Sequence, residues 1–264
     1  MSTLFKRLVL LSFFTFLLLI GITAKNNGAL LEEHEEPIPS PQLVESPVLI
    51  QEQAALRSLD YHHRMSRESS VKVHQLSQLP TQDRAYTNGH GSGTYFKFRG
   101  SYYILTAKHV IDDQSILLIS SENSFTTVAH TVYVSDDYDI AVLSVPKIND
   151  LTAVSIGALD LEDWVIGSEV VYTGYPSSYS RLTSTGFVSG TAVNHNNSVL
   201  IQGFVWPGSS GAGVFDSNGR LVGLVWALGV ESFAGRPQAL ETLVYVCPLS
   251  QEEVGKIRDT LRSL

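Results

Sequence analysis

The chain has 264 residues, is 44% hydrophobic and 17% charged, and carries a net charge of -8 with a sequence pI near 5.4. Such a length supplies one ordinary domain of about 150–200 residues with a sizeable core, plus appendages. The acidic balance excludes general nucleic-acid binding, which needs a basic face, and a single cysteine, Cys247, excludes an internal disulfide and any Cys-rich metal site.

Lys6-Arg7 precede an apolar run over residues 8–24 that only Ser12, Thr15, Gly21 and Thr23 interrupt. Positive charge ahead of such a run is an export signal. Its 17 residues fall between a signal-peptide core and a spanning helix, which needs about 20. Ile22-Thr23-Ala24 ends in a small residue but is not an Ala-x-Ala site. Residues 1–24 therefore read as a cleaved signal peptide or an uncleaved anchor. Either places the remainder outside the cytoplasm, periplasmic, secreted or tethered, with membrane contact only through residues 8–24.

Residues 25–85 read as an acidic linker. Over 25–60, seven acids stand against Lys25 and Arg57, and Pro37, Pro39, Pro41 and Pro47 punctuate the stretch. Like charge and proline spacing favour an extended, solvated chain. Helix is expected only in pieces between 48 and 79. His62-His63 reads as solvated surface, because sequence neighbours leave a helix on different sides and no ligand stands at i+4.

From Asn88 the texture becomes short apolar strands separated by turn residues. Residues 94–98 and 102–107 form a hairpin around Arg99-Gly100-Ser101. Further strands are expected at 115–120, 126–134, 140–145 and 154–157. The second half repeats the pattern at 169–174, 186–194, 198–204, 213–215, 221–226 and 243–246. Six strands per half predict an all-β domain over 86–264 made of two six-stranded antiparallel barrels. A helix ends the chain: Ser250-Gln251-Glu252-Glu253 forms a capping box, and Val254, Ile257 and Leu261 share an apolar face.

Three settings bear chemistry. Ser210 lies in Trp206-Pro207-Gly208-Ser209-Ser210-Gly211-Ala212-Gly213, a tight glycine turn before an apolar strand. His109 ends the strand Ile104-Leu105-Thr106-Ala107-Lys108-His109, and Asp139 opens Asp139-Ile140-Ala141-Val142-Leu143. Taken singly, each also reads as an ordinary turn or surface residue. Asp136-Asp137-x-Asp139 hints only weakly at calcium, since the residues that follow supply no oxygen ligands. His90 reads as a loop residue, and His130 and His195 lie in or near strands without a partner motif. No metal or other cofactor is expected.

Taken in order, residues from Gly89 to the final helix resemble the trypsin/chymotrypsin-like serine peptidases. Gly91-Ser92-Gly93-Thr94 is similar to that family's opening strand. Leu105-Thr106-Ala107-Lys108-His109-Val110 is similar to its histidine motif, Asp139-Ile140-Ala141-Val142-Leu143 to its aspartate motif, and Pro207-Gly208-Ser209-Ser210-Gly211 to its nucleophile motif. Tyr172-Thr173-Gly174-Tyr175-Pro176 and Gly219-Arg220-Leu221-Val222-Gly223-Leu224 resemble the disulfide-free HtrA-type and glutamyl-endopeptidase-type branches. No PDZ-like segment is expected in the 54 residues after Ser210.

The resemblance implies a chymotrypsin-like fold and a serine endopeptidase acting on protein or peptide substrates. His109 and Asp139 would come from the first barrel and Ser210 from the second, with the backbone N–H groups of Gly208 and Ser210 as oxyanion hole. Counting from Ser210, the substrate pocket would be lined by Phe204, Val205, Val225, Trp226 and Ala227, none of them charged. That implies cleavage after uncharged residues. Three positions depart from the pattern: Ala212 replaces a glycine, Lys108 a small residue, and Ser209 an acid or amide. Ser209 cannot pair with a freed N-terminal amine, so a chain starting near Gln82 is expected to be active as made. Two rivals remain: a silent relative that binds peptides in the cleft, and an esterase of another fold, against which the missing Gly-x-Ser-x-Gly spacing speaks.

Overall fold

The computed structural model describes residues 60–78, 85–112, 115–122, 126–192, 197–233 and 235–264, all within one compact unit. The apolar run at 8–24, the acidic prolines and His195 lie outside the described residues.

The chain enters through helix α1 (Tyr61–Ser69) and continues directly into β1 (Ser70–Gln78). Then follow β2 (Ala85–Phe98), β3 (Ser101–Thr106), β4 (Ile116–Ser120), β5 (Thr126–Val134) and β6 (Ala141–Val145). These close an antiparallel barrel in the order β1-β2-β3-β6-β5-β4. The second barrel is built from β7 (Glu169–Gly174), β8 (Leu182–Ala192), β9 (Ser198–Gln202), β10 (Gly213–Asp216), β11 (Leu221–Phe233) and β12 (Arg236–Pro248), in the order β10-β11-β12-β9-β8-β7. Helix α2 (Gln251–Ser263) ends the chain. This is the expected chymotrypsin-like architecture of two six-stranded barrels and a C-terminal helix.

The first hairpin turns on Arg99 and Gly100, both at positive φ (49° and 92°). That is the mirror-image turn whose twist suits two strands joined by two residues. Behind it, Ile104, Leu105, Val142 and Leu143 are fully buried in the first core, as are Val71 and Val73 of β1. The second core gathers Val170, Val188, Ile201, Val214, Val225 and Val246.

Four expectations need correction. The first barrel begins at Ser70 rather than 86: Val71 and Val73 face the core while Lys72 and His74 point outward, an alternation with too few apolar residues to stand out beside the acidic stretch. Residues 154–157 supply no barrel strand, only isolated bridges from Val154 to Phe96 and from Ile156 to Leu221. β11 and β12 run well past 226 and back from 236, pairing as far as Phe233 with Arg236, through mostly exposed residues that carry no burial signal. The capping box is half made. Ser250 Oγ accepts from Glu253 N (3.2 Å), but the Glu253 carboxylate accepts instead from Tyr133 Oη (2.9 Å).

Candidate active site

Strand β3 delivers its last residues into a short 3-10 turn, Lys108–Val110, anchored by the buried Ala107 and Val110. His109 thus stands at the barrel rim with its side chain 42% exposed. Asp139 arrives from a turn before β6. Ser135 Oγ there accepts from the N–H groups of Asp137 (3.3 Å) and Tyr138 (3.1 Å), and Ser135 N donates to Ile140 O (2.9 Å). Fully buried Ile140 locks the exit.

The Asp139 carboxylate clamps His109 twice. Oδ1 accepts from the His109 backbone N–H (2.9 Å), and Oδ2 lies 2.5 Å from Nδ1. The neighbouring Asp137 is engaged elsewhere, on Lys256 Nζ of α2 (2.7 Å). Lys108 turns its ammonium onto Ser135 O (2.8 Å).

The Ser210 turn is held from below by the second barrel and from the side by the first. Gly211 N donates to Val225 O (2.7 Å), Val225 N to Ala212 O (2.9 Å), and Ala212 N to Ser209 O (2.9 Å). From the first barrel, Ser92 N donates to Ser210 O (2.7 Å) and Ser92 Oγ to Gly208 O (2.7 Å). Ser92 Oγ also accepts from Tyr175 N (2.9 Å), so one buried hydroxyl joins both barrels at the turn.

Gly208 (φ 98°) and Gly211 (φ 88°) adopt a backbone open to few other residues. A Cβ on Gly208 would meet Tyr175 O and His90 Nε2, and one on Gly211 would meet Ser92 O and Thr106 Oγ1. Among the described residues, the N–H groups of Gly208 and Ser210 donate to no protein acceptor, and the Ser210 hydroxyl makes no hydrogen bond. Two spare donors beside a free hydroxyl are what an acyl-transfer site requires.

A family model described as a trypsin-like peptidase domain matches residues 91–224, just over half of the chain and spanning all three motifs. The chain belongs to the trypsin-like peptidase family. It is 28% identical over 181 residues to Protease Do-like 1, chloroplastic, of Arabidopsis thaliana, covering 62% of this chain and 40% of that protein. Serine endoprotease DegS of Haemophilus influenzae is 28% identical over 172 residues, covering 61% of this chain and 49% of its own. Serine protease Do-like HtrA of Lactobacillus helveticus is 26% identical over 213 residues, covering 76% and 49%. The chain thus spans about half or less of these relatives' length. A solved serine endoprotease from Yersinia pestis shares the fold, with a TM-score of 0.57 and 23% identity over 76% of this chain and 65% of its own.

In this trypsin-like peptidase domain the five residues counted as pocket lining fall into two groups. Val205 and Val225 are buried in the second core. Phe204 is exposed and its carbonyl accepts from Tyr172 Oη (2.8 Å). Trp226 is half-buried, its Nε1 donating to Ser198 Oγ (3.0 Å), and Ala227 follows it on β11.

Sequence reasoning missed Ser92, whose partners lie 83 and 116 residues away; the glycines around it were its only signal. His90 lies within β2 rather than in a loop, within hydrogen-bond distance of Tyr175 O (3.0 Å). Burial pushes its pKa below the ordinary imidazole value, and the nearby Lys72 charge adds to that. His62 is buried against the second barrel, not solvated.

Proposed function

We propose that this chain is a serine endopeptidase working through His109, Asp139 and Ser210. The observation that carries the reading is the double clamp of Asp139 on His109. With Nδ1–H held by the carboxylate, the imidazole presents an unprotonated Nε2. That nitrogen takes the Ser210 proton as Oγ attacks the scissile carbonyl, and the acyl-enzyme forms as His109 returns the proton to the leaving amine. A water then repeats the cycle, with His109 as base, to release the acid product. The N–H groups of Gly208 and Ser210 stabilise the tetrahedral oxyanion, a contribution of about 100–1,000-fold per donor. Asp139 fixes the tautomer and the developing imidazolium.

Specificity follows from Phe204, Val205, Val225, Trp226 and Ala227. A charged substrate side chain would find no counter-charge among them, so cleavage falls after uncharged, small or medium apolar residues. Residues 1–24 export the domain as signal peptide or anchor, and the peptidase domain acts outside the cytoplasm on protein or peptide substrates.

Labelling with a fluorophosphonate probe tests the assignment. The wild-type protein should label, Ser210→Ala and His109→Ala should not, and Asp139→Asn should lose on the order of 10⁴ in turnover. Mass-spectrometric profiling of a peptide library tests the pocket: a dominant preference for Lys, Arg, Asp or Glu before the cut would overturn it. Absence of labelling in the wild-type protein would select a second reading, a silent peptide-binding relative.

A further inference from the structure

Helix α1 docks on the second barrel through polar side chains. Its buried residues are His62, Ser66 and Ser69, and Ser66 Oγ lies 2.8 Å from Thr173 Oγ1 of β7. Among its nine residues, the hydrophobic side chain packed against a core is the partly buried Met65. Its first turn carries His62 and His63, whose ring centroids are 4.5 Å apart. Both reach barrel residues: His62 Nε2 lies 3.2 Å from Glu169 Oε1, and His63 Nε2 lies 3.1 Å from Thr185 Oγ1.

One nitrogen from each imidazole and one Glu169 oxygen lie within 4.8 Å of one another. Metal–ligand bonds of about 2.0–2.1 Å put tetrahedral ligands roughly 3.3 Å apart. The His62–Glu169 separation already matches that edge.

A plain hydrogen-bond cluster leaves one atom unexplained. His63 Nδ1 is buried and has no partner among the described residues. With Nε2–H donating to Thr185 Oγ1, Nδ1 carries a bare lone pair shielded from water, which a neutral hydrogen-bond scheme does not satisfy. A ring nitrogen whose opposite N–H is fixed by an oxygen is the arrangement in which histidine binds metal.

We propose that His62, His63 and Glu169 bind a divalent transition-metal ion, Zn²⁺ by preference, which pins α1 to the second barrel. Two imidazoles and one carboxylate select Zn²⁺ over Ca²⁺ and Mg²⁺, which take oxygen ligands. Three protein ligands leave the fourth position to water. Because α1 runs straight into β1, the ion fastens to the second barrel the segment from which the first barrel starts. The site is independent of the peptidase assignment.

The test uses the full-length protein, stripped with EDTA and titrated with ZnCl₂ by calorimetry, and with CoCl₂ followed by visible absorption. One equivalent should bind, and Co²⁺ should show the strong bands of a tetrahedral site. Zn²⁺ at a hundred times its Kd should raise Tm by about 5–10 °C. Glu169→Gln and His63→Gln should each weaken binding by about 10–100-fold or more and abolish the cobalt spectrum. If His63→Gln fails to fold, the partly exposed Glu169 carries the test alone. Absence of stoichiometric uptake, undiminished uptake by Glu169→Gln, or displacement of Zn²⁺ by Ca²⁺ would each overturn the proposal.

Discussion

Replacing Ser92 with alanine tests how the two barrels hold the nucleophile turn. The hydroxyl accepts from Tyr175 N and donates to Gly208 O, and the residue is fully buried. Alanine fits the space, so the loss is confined to those two bonds. Tyr175 N–H is left buried without an acceptor, which costs about 1–3 kcal/mol, and the Gly208 carbonyl loses a partner worth about 1 kcal/mol. The expected destabilisation is about 2–4 kcal/mol, a fall in Tm of roughly 4–16 °C for a chain of this size. Gly208 also supplies a proposed oxyanion donor, and a displacement of about 1 Å there lowers turnover on the order of 100-fold. Urea unfolding gives the first quantity, and kcat on a peptide substrate below the melting range gives the second. Ser144→Ala, which removes only a surface bond to His130 O (3.3 Å), is the control and should change stability by less than about 0.5 kcal/mol. If Ser92→Ala matches that control in stability and keeps wild-type kcat, the cross-barrel tie does not position the turn.

Other perturbations follow from the same geometry. Asp137→Asn should leave turnover close to wild type, unlike Asp139→Asn, because its carboxylate is spent on Lys256; steady-state kinetics on the pair decides which aspartate serves the site. Gly211→Ala forces a Cβ into Ser92 O at φ 88° and should destabilise by about 2–5 kcal/mol in thermal unfolding. A chain starting at Gln82 should fail to fold rather than be active as made, since it lacks β1, which pairs with both β2 and β4 and buries Val71 and Val73. Circular dichroism of that chain beside one starting at 46 checks this. Burial pushes the Tyr172 and Tyr133 phenols and the Cys247 thiol up to about 12, with the Glu253 carboxylate adding to the effect at Tyr133. The unfolded chain therefore loses these protons first. Their contribution is complete below about pH 9 and is lost as pH rises towards 12, so denaturant midpoints should fall across that window and fall less in Tyr172→Phe.

Both barrels were legible because most of their strands are runs of β-branched residues bounded by glycine and polar turns. The settings of His109 and Asp139 were legible for the same reason, each standing where such a run stops or starts. What stayed hidden depends on pairings that local pattern does not encode. β1 reads as polar until β2 and β4 flank it. The outer halves of β11 and β12 bury little, so hydrogen bonding to each other defines them. His62 looked solvated because its partner, Glu169, lies 107 residues on. Glu253 had every mark of a reciprocal cap, but its buried carboxylate bonds the phenol from β5 instead.

Helix α2 has a consequence for when the proposed site can come alive. Val254, Ile257 and Leu261 share one core with Val71, Ile104, Leu105 and Leu143 of the first barrel. The barrel that presents His109 and Asp139 is thus sealed by a helix made after all twelve strands, although its own strands emerge early from a ribosome that delivers the N-terminus first. Ser210 arrives later than both, and α2 later still. A nascent chain stalled before Gln251 carries every residue of the site yet leaves the first core open. Such chains should fail to react with the fluorophosphonate probe expected to label the full 264-residue chain. The proposed nucleophile would then stay silent while the chain's own unfolded segments are still within reach.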